Sequence, residues 1–161
     1  MIKRDTSALE GFPYQLMIIS AVIALTLPVV YSTWEYYDTQ STLQNVRDEV
    51  EFIGQKAEQL FVRGEGNSDE IELNLEDGMF TDVRHVKFGK ESSPYQRIDW
   101  KVGDNHEGTS MLPRNIPLVP YEDGERVDEM VLRGGRHILT LTCKMGVLEG
   151  NRTLYIQVSE R

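Results

Sequence analysis

From Leu16 to Val30 the chain is almost unbrokenly apolar, and no charged side chain occurs between Glu10 and Glu35. At 1.5 Å per helical residue, roughly 20 residues cross a hydrocarbon layer of about 30 Å, so this stretch predicts a transmembrane helix over 13–35. Tyr14 marks one end, and Tyr31, Trp34, Tyr36 and Tyr37 mark the other, where amphipathic rings favour the headgroup level. A buried soluble helix of this length would carry a polar stripe, which is absent. A cleaved secretory signal fits less well: the apolar run exceeds an ordinary signal core, and Tyr31-Ser32-Thr33-Trp34 is a poor small-residue cleavage site. Lys3 and Arg4 precede the span and the next basic residue is Arg47, so the positive-inside bias predicts a cytoplasmic N-terminus and an extracytoplasmic remainder. Pro28 predicts a softened turn within the span, with Thr26 and Ser20 re-satisfying carbonyls, and Pro13 suits a first helical turn.

Beyond the aromatic residues the spacing changes. Leu43, Val46, Val50, Ile53, Ala57 and Leu60 follow a 3-4-3-4-3 series, leaving Gln44, Arg47, Asp48, Glu51, Gln55 and Glu58 on the opposite side. This predicts an amphipathic stalk helix over 36–63, its seam packed either on the protein's own sheet or on neighbouring copies. Gly64, Gly66, Asn67 and Ser68 then end it.

From Asp69 onward the period falls to two. Ile71, Leu73 and Leu75 alternate with acidic or polar residues, as do Ile98, Trp100 and Val102, and Leu154, Ile156 and Val158. Each set predicts a half-buried strand. Asp77-Gly78 reads as a turn. Gly134-Gly135, between 127–133 and 136–144, predicts a two-residue hairpin that would put Met130, Leu132, Leu139, Leu141 and Cys143 on one inner face. Pro113, Pro117 and Pro120 mark an irregular connection or an edge. The expected fold is α+β: residues 1–12 as a cytoplasmic N-terminus or leader, the span, the stalk, and a sandwich-like antiparallel β head over 64–161.

Composition narrows the function. With 17 basic against 26 acidic residues the formal charge is -9, which repels phosphate backbones and argues against a nucleic-acid partner. A single cysteine, Cys143, excludes an internal disulfide and reads as a buried small hydrophobe. His85, His106 and His137 are scattered, with no close partner carboxylate, so no metal set or triad emerges and no cofactor is expected. Gly64-Glu65-Gly66 lacks the lysine or third glycine of a phosphate loop. The acidic clusters at 69–70, 76–77 and 122–125 lack the alternating ligand spacing of a calcium loop. An enzyme is therefore not expected. Asn151-Arg152-Thr153 is a candidate glycosylation sequon.

A short charged N-terminus, Gly11-Phe12, an apolar helix running on as an amphipathic stalk and then a β head together resemble archaeal type IV pilin-like proteins, including archaellum-associated surface subunits. The resemblance covers the layout of the whole chain. It implies cleavage between Gly11 and Phe12, helices from Phe12 to Leu60 bundling as an assembly element, and β heads on the outside. Self-association or other pilin-like subunits would then be partners, beside membrane lipid. Leu16 stands where the family commonly has an acidic fifth residue and Glu10 where a basic one is usual, which leaves open an unprocessed anchor that keeps Met1 to Gly11. The alternative is a monomeric surface-anchored module whose head binds a wall-layer protein, glycan or other ligand.

Overall fold

The computed structural model describes residues 7–89, 95–148 and 150–161, with side chains described from Tyr14 onward within the first helix. Helix α1 spans Ser7–Arg63 and is followed by nine strands, β1 Ser68–Leu75, β2 Val83–Gly89, β3 Arg97–Val102, β4 His106–Met111, β5 Leu118–Glu122, β6 Glu125–Arg126, β7 Glu129–Leu132, β8 Gly135–Leu148 and β9 Asn151–Glu160. This is an α+β chain. It divides into two compact units, Met1–Tyr37 and Asp38–Arg161. The division corrects the expected boundaries, because residues 38–63 belong with the β region instead of forming a separate stalk.

In the first unit α1 begins at Ser7, ahead of the expected start at Pro13, and continues through Pro28 without interruption. The hydroxyls are bonded within the helix: Ser20 Oγ donates to the Leu16 carbonyl at 2.7 Å and Thr26 Oγ1 to that of Val22 at 2.9 Å. Neither reaches the Ala24 carbonyl, the one a proline at 28 deprives of its i+4 donor, so the expected repair by these two hydroxyls is not what the structure forms.

In the second unit the 3-4-3-4-3 series is the inner face of the helix. Leu43, Val46, Val50, Ile53, Ala57 and Leu60 are all buried, and they share one core with residues of both sheets, including Ile71, Leu73, Val86, Phe88, Ile98, Leu139, Leu141 and Ile156. Of the two partners open to this seam, the chain's own sheets fill the role. The helix ends where Gly64 takes a positive φ of 90°, the Asn67 amide donates to the Arg63 and Gly64 carbonyls, and Gly66 N–H bonds the Cys143 carbonyl at 2.9 Å. The chain thereby passes directly onto β8.

One sheet has the order β1-β8-β9-β5-β6 and the other β4-β3-β2-β7. The alternating sets behave as their period requires: Ile71, Leu73 and Leu75 in β1, and Ile98, Trp100 and Val102 in β3, are buried while their neighbours are not. Three expectations need correction. The Gly134-Gly135 hairpin does not form: β7 pairs with β2 in the four-stranded sheet, while β8 pairs with β1 and β9 in the five-stranded one. Of the two glycines only Gly135 has positive φ, and Gly134, bonded to the Val83 carbonyl at 3.2 Å, has no room for a side chain beside the Asp77 carboxylate. The pair therefore carries the chain between sheets. Tight hairpins lie instead between β5 and β6, where Glu122 faces Glu125 and Asp123 and Gly124 have positive φ, and between β8 and β9, where Leu148 faces Asn151 and Gly150 has a φ of 83°.

The head is also not wholly antiparallel, since β5 runs parallel to β9. A parallel pair needs a long return, here the stretch from β6 through β8. Pro120 sits in β5 beyond the two-residue ladder of β6, which pairs only with Tyr121 and Glu122, so its missing N–H disturbs nothing there. Finally, Tyr155 is not on an outward polar face. It is buried with Tyr95, Val119 and Leu148 in a second small core, where its hydroxyl lies 3.1 Å from that of Tyr121. Burial, and then that hydrogen bond, push the Tyr155 hydroxyl up to about 12.

Candidate functional site

The first unit presents a sleeve of apolar side chains. Leu16, Met17, Ile18, Ile19, Val22, Ile23, Leu25, Leu27, Val29 and Val30 are all exposed, and Leu25 is 76% exposed. None of the apolar window of this helix is buried, and it is long and apolar enough to cross a membrane. A helix apolar all round and uncovered is stable only where its surroundings are apolar. Tyr31, Trp34, Tyr36 and Tyr37 follow, also exposed, with the last two rings edge to face at 6.0 Å. Gly11 and Phe12 lie in the helical backbone, but their side chains, like Lys3 and Arg4, fall outside the described residues.

The seam cannot serve as a surface for other copies. Its six residues are 0 to 5% exposed inside this chain's own core, so an assembly contact made by α1 must use other residues. Asn151 is exposed at the first position of β9.

Where the second unit begins, an acidic side chain organises a loop. Asp38 Oδ1 accepts the Met79 N–H at 2.7 Å and Oδ2 the Phe80 N–H at 2.9 Å. Thr39 and Thr81 hydroxyls meet at 2.8 Å, Gly78 N–H bonds the Thr81 carbonyl at 2.7 Å, and Asp77 Oδ1 accepts the Val83 N–H at 2.6 Å. Gly78 lies against the Asp38 carboxylate, where a Cβ would collide with it. Burial alone would push the Asp38 carboxyl up, but the hydrogen bonds from Phe80, Met79 and Thr81 outweigh it and hold the group below its ordinary value. Spacings of 41 and 42 residues hide this clamp from a reading of local pattern.

The linkage has a definite sign. A carboxylate with a depressed folded pKa contributes stability that is fully present above its unfolded value of 3.8 and is lost as pH falls through the lower folded value. Asp38→Asn is therefore expected to lower the melting temperature modestly at pH 7 through weakened charge-assisted bonds, solvent screening of this accessible carboxylate keeping the loss small, and the difference from the parent should shrink in acid. An equal difference at pH 7 and pH 2 would show that the carboxylate charge plays no part.

A groove of about 520 Å³ runs along the exposed side of residues 47–55, with Arg47, Glu51 and Gln55 on one wall and Trp100 and Thr109 to Pro113 on the other. The Arg47 guanidinium stands 5.4 Å from the Trp100 ring centroid, and Trp100 lies over Gly108, its partner on β4, where an added Cβ would run into the indole. The Trp100 indole N–H is buried and has no hydrogen-bond partner among the described residues.

The remaining candidates stay apart. His85 is half-buried and held below its ordinary pKa, first by burial and then by Lys87 and Lys101; His106 is exposed. His137 does have a carboxylate neighbour, contrary to expectation: Nδ1 is 2.6 Å from Glu160, brought alongside by the β8–β9 pairing, and Nε2 is 2.8 Å from the Arg133 carbonyl. Cys143 is fully buried, and burial, with Glu65 adding to it, pushes its thiol up. Among the described residues no group of three His, Cys, Asp or Glu side chains is placed to hold a metal ion. No family model matches the chain, and neither a characterised protein nor a solved structure is significantly similar to it.

Proposed function

We propose that this chain is a single-span, membrane-anchored structural or accessory subunit of a type IV pilus-like or archaellum-like surface filament system. In this reading residues 13–35 lie in the membrane, the N-terminus is cytoplasmic, and a sandwich-like head, into whose core the helix from Asp38 onward is packed, faces outward. The observation that carries it is the uncovered apolar sleeve of the first unit, which has no use in water and two uses in a surface machine: lipid contact and packing against like helices. Because the seam from Leu43 to Leu60 is occupied by the head, the reading assigns self-association to residues 14–37.

A cysteine in place of Leu25 tests it. Oxidative cross-linking in native membranes should give a disulfide-linked dimer, the limit for one reactive thiol per chain with Cys143 buried, and a monomer band alone would contradict the subunit reading. The intact mass of the native protein should separate a chain starting at Met1 from one starting at Phe12, and a mass equal to the polypeptide would dismiss a glycan on Asn151.

The groove beside Trp100 favours a second reading, a monomeric anchored module whose head binds a wall-layer protein, glycan or other ligand. An aromatic wall with nearby Arg, Glu and Gln side chains has the make-up of a binding cleft. Loss of cell-surface ligand capture on Arg47→Ala, an exposed position in that groove, in a chain that remains folded and monomeric, would select it.

A further inference from the structure

We propose that the loop over 77–82 is a second, shallow membrane contact, in which Met79 and Phe80 enter the headgroup layer beside the point where α1 leaves the bilayer. The proposal rests on the reading that residues 13–35 span the membrane.

Three observations lead to it. The first is apolar exposure at a loop tip in an otherwise acidic head: Met79 is 81% exposed and Phe80 40%. The second is place. Asp38, which holds the Met79 and Phe80 amides, is three residues beyond the span, or about 4.5 Å along a helix. The headgroup layer on each side of a bilayer is roughly 5–7 Å thick, so Asp38, and with it the backbone amides it holds, starts out at headgroup depth. The third is polar satisfaction. The N–H groups of Gly78, Met79, Phe80 and Val83 are all bonded within the protein, the Asp38 and Asp77 carboxylates are turned inward to accept them, and Asp82 is paired with Arg84 at 3.3 Å. At Gly78, Met79 and Phe80 the tip therefore offers the interface apolar side chains whose own backbone N–H groups are already bonded, which favours entry into a poorly hydrated layer. Gly78, which alone lets the loop settle on Asp38, completes the device.

A loop built this way would fix the tilt of the head against the membrane surface, with methionine and phenylalanine in the role that tyrosine and tryptophan take at the end of the span. The depth of Asp38 favours lipid over a neighbouring protein as the occupant.

The test uses the full chain in phosphatidylcholine vesicles with one environment-sensitive fluorophore on Met79→Cys, Ile23→Cys or Glu65→Cys. The native Cys143, fully buried, should take no label, which the parent chain verifies. The proposal expects the Met79 label to be quenched by a doxyl lipid and protected from aqueous iodide, as the Ile23 label is, while the Glu65 label shows the reverse. Iodide quenching at Met79 with Ile23 still in lipid would overturn the loop contact and leave the anchor standing. Protection of Met79 from both quenchers would overturn it in favour of a protein neighbour. Iodide quenching at Ile23 would overturn the spanning reading, and this proposal with it.

Discussion

Replacing Ile53 with Asp in the detergent-solubilised chain is expected to unfold the head or to lower its stability by about 4 kcal/mol or more. Ile53 is fully buried in the core shared by the helix and both sheets, and the described residues of that core are apolar and offer a carboxylate no cation. A loss of that size is a large part of the roughly 5–15 kcal/mol that holds a domain together. Ile53→Val, which removes one methylene, should cost only about 1 kcal/mol. Thermal unfolding followed by tryptophan emission is a suitable readout, since Trp100 sits in the same core. If Ile53→Asp melted like the parent and merely failed to associate, the seam would be an intermolecular surface and its burial here would be mistaken.

The second large effect concerns the other unit. A fragment of residues 38–161 is expected to fold and stay in solution without detergent, whereas the intact chain is expected to partition wholly into membranes or micelles. The division after Tyr37 motivates this, because the core residues all follow it and the exposed apolar sleeve precedes it. Cutting instead after Arg63, the end of the expected stalk, should leave an insoluble β region, since it strips six buried side chains from the core. Soluble, cooperative folding of 64–161 would show that the helix is dispensable to the head.

Local pattern carried much of this architecture. The 3-4-3-4-3 spacing from Leu43 to Leu60 and the alternation at Ile71, Leu73 and Leu75 each report which side chains meet a core, because period follows directly from backbone geometry. Met130, Leu132, Leu139, Leu141 and Cys143 are all buried together as their pattern required, even though the strands bearing them belong to different sheets. Pairing is where local reading stops. Gly134-Gly135 permits a hairpin, but β8 finds eight partners on β1 and ten on β9, and that distant competition decides the matter. The parallel β5–β9 pair, the second core around Tyr155 and the contact of His137 with Glu160 depend on the same long-range pairing.

The site divides in the same way. The apolar sleeve was legible because hydropathy and length are local quantities. The Asp38 clamp and the groove beside Trp100 join residues 40 or more positions apart, and nothing in their immediate neighbours announces them. An aspartate directly after an aromatic belt was the one signal for the clamp, since a short carboxylate at such a junction commonly accepts backbone N–H groups.

The most direct test of the proposed topology is the labelling of Glu65→Cys by a membrane-impermeant thiol reagent in intact cells, scored on the chain recovered from the membrane fraction. Glu65 is exposed in the turn after α1, and the account predicts full labelling without lysis. Labelling that appears only after the cells are broken, on a chain still held in the membrane, would contradict it.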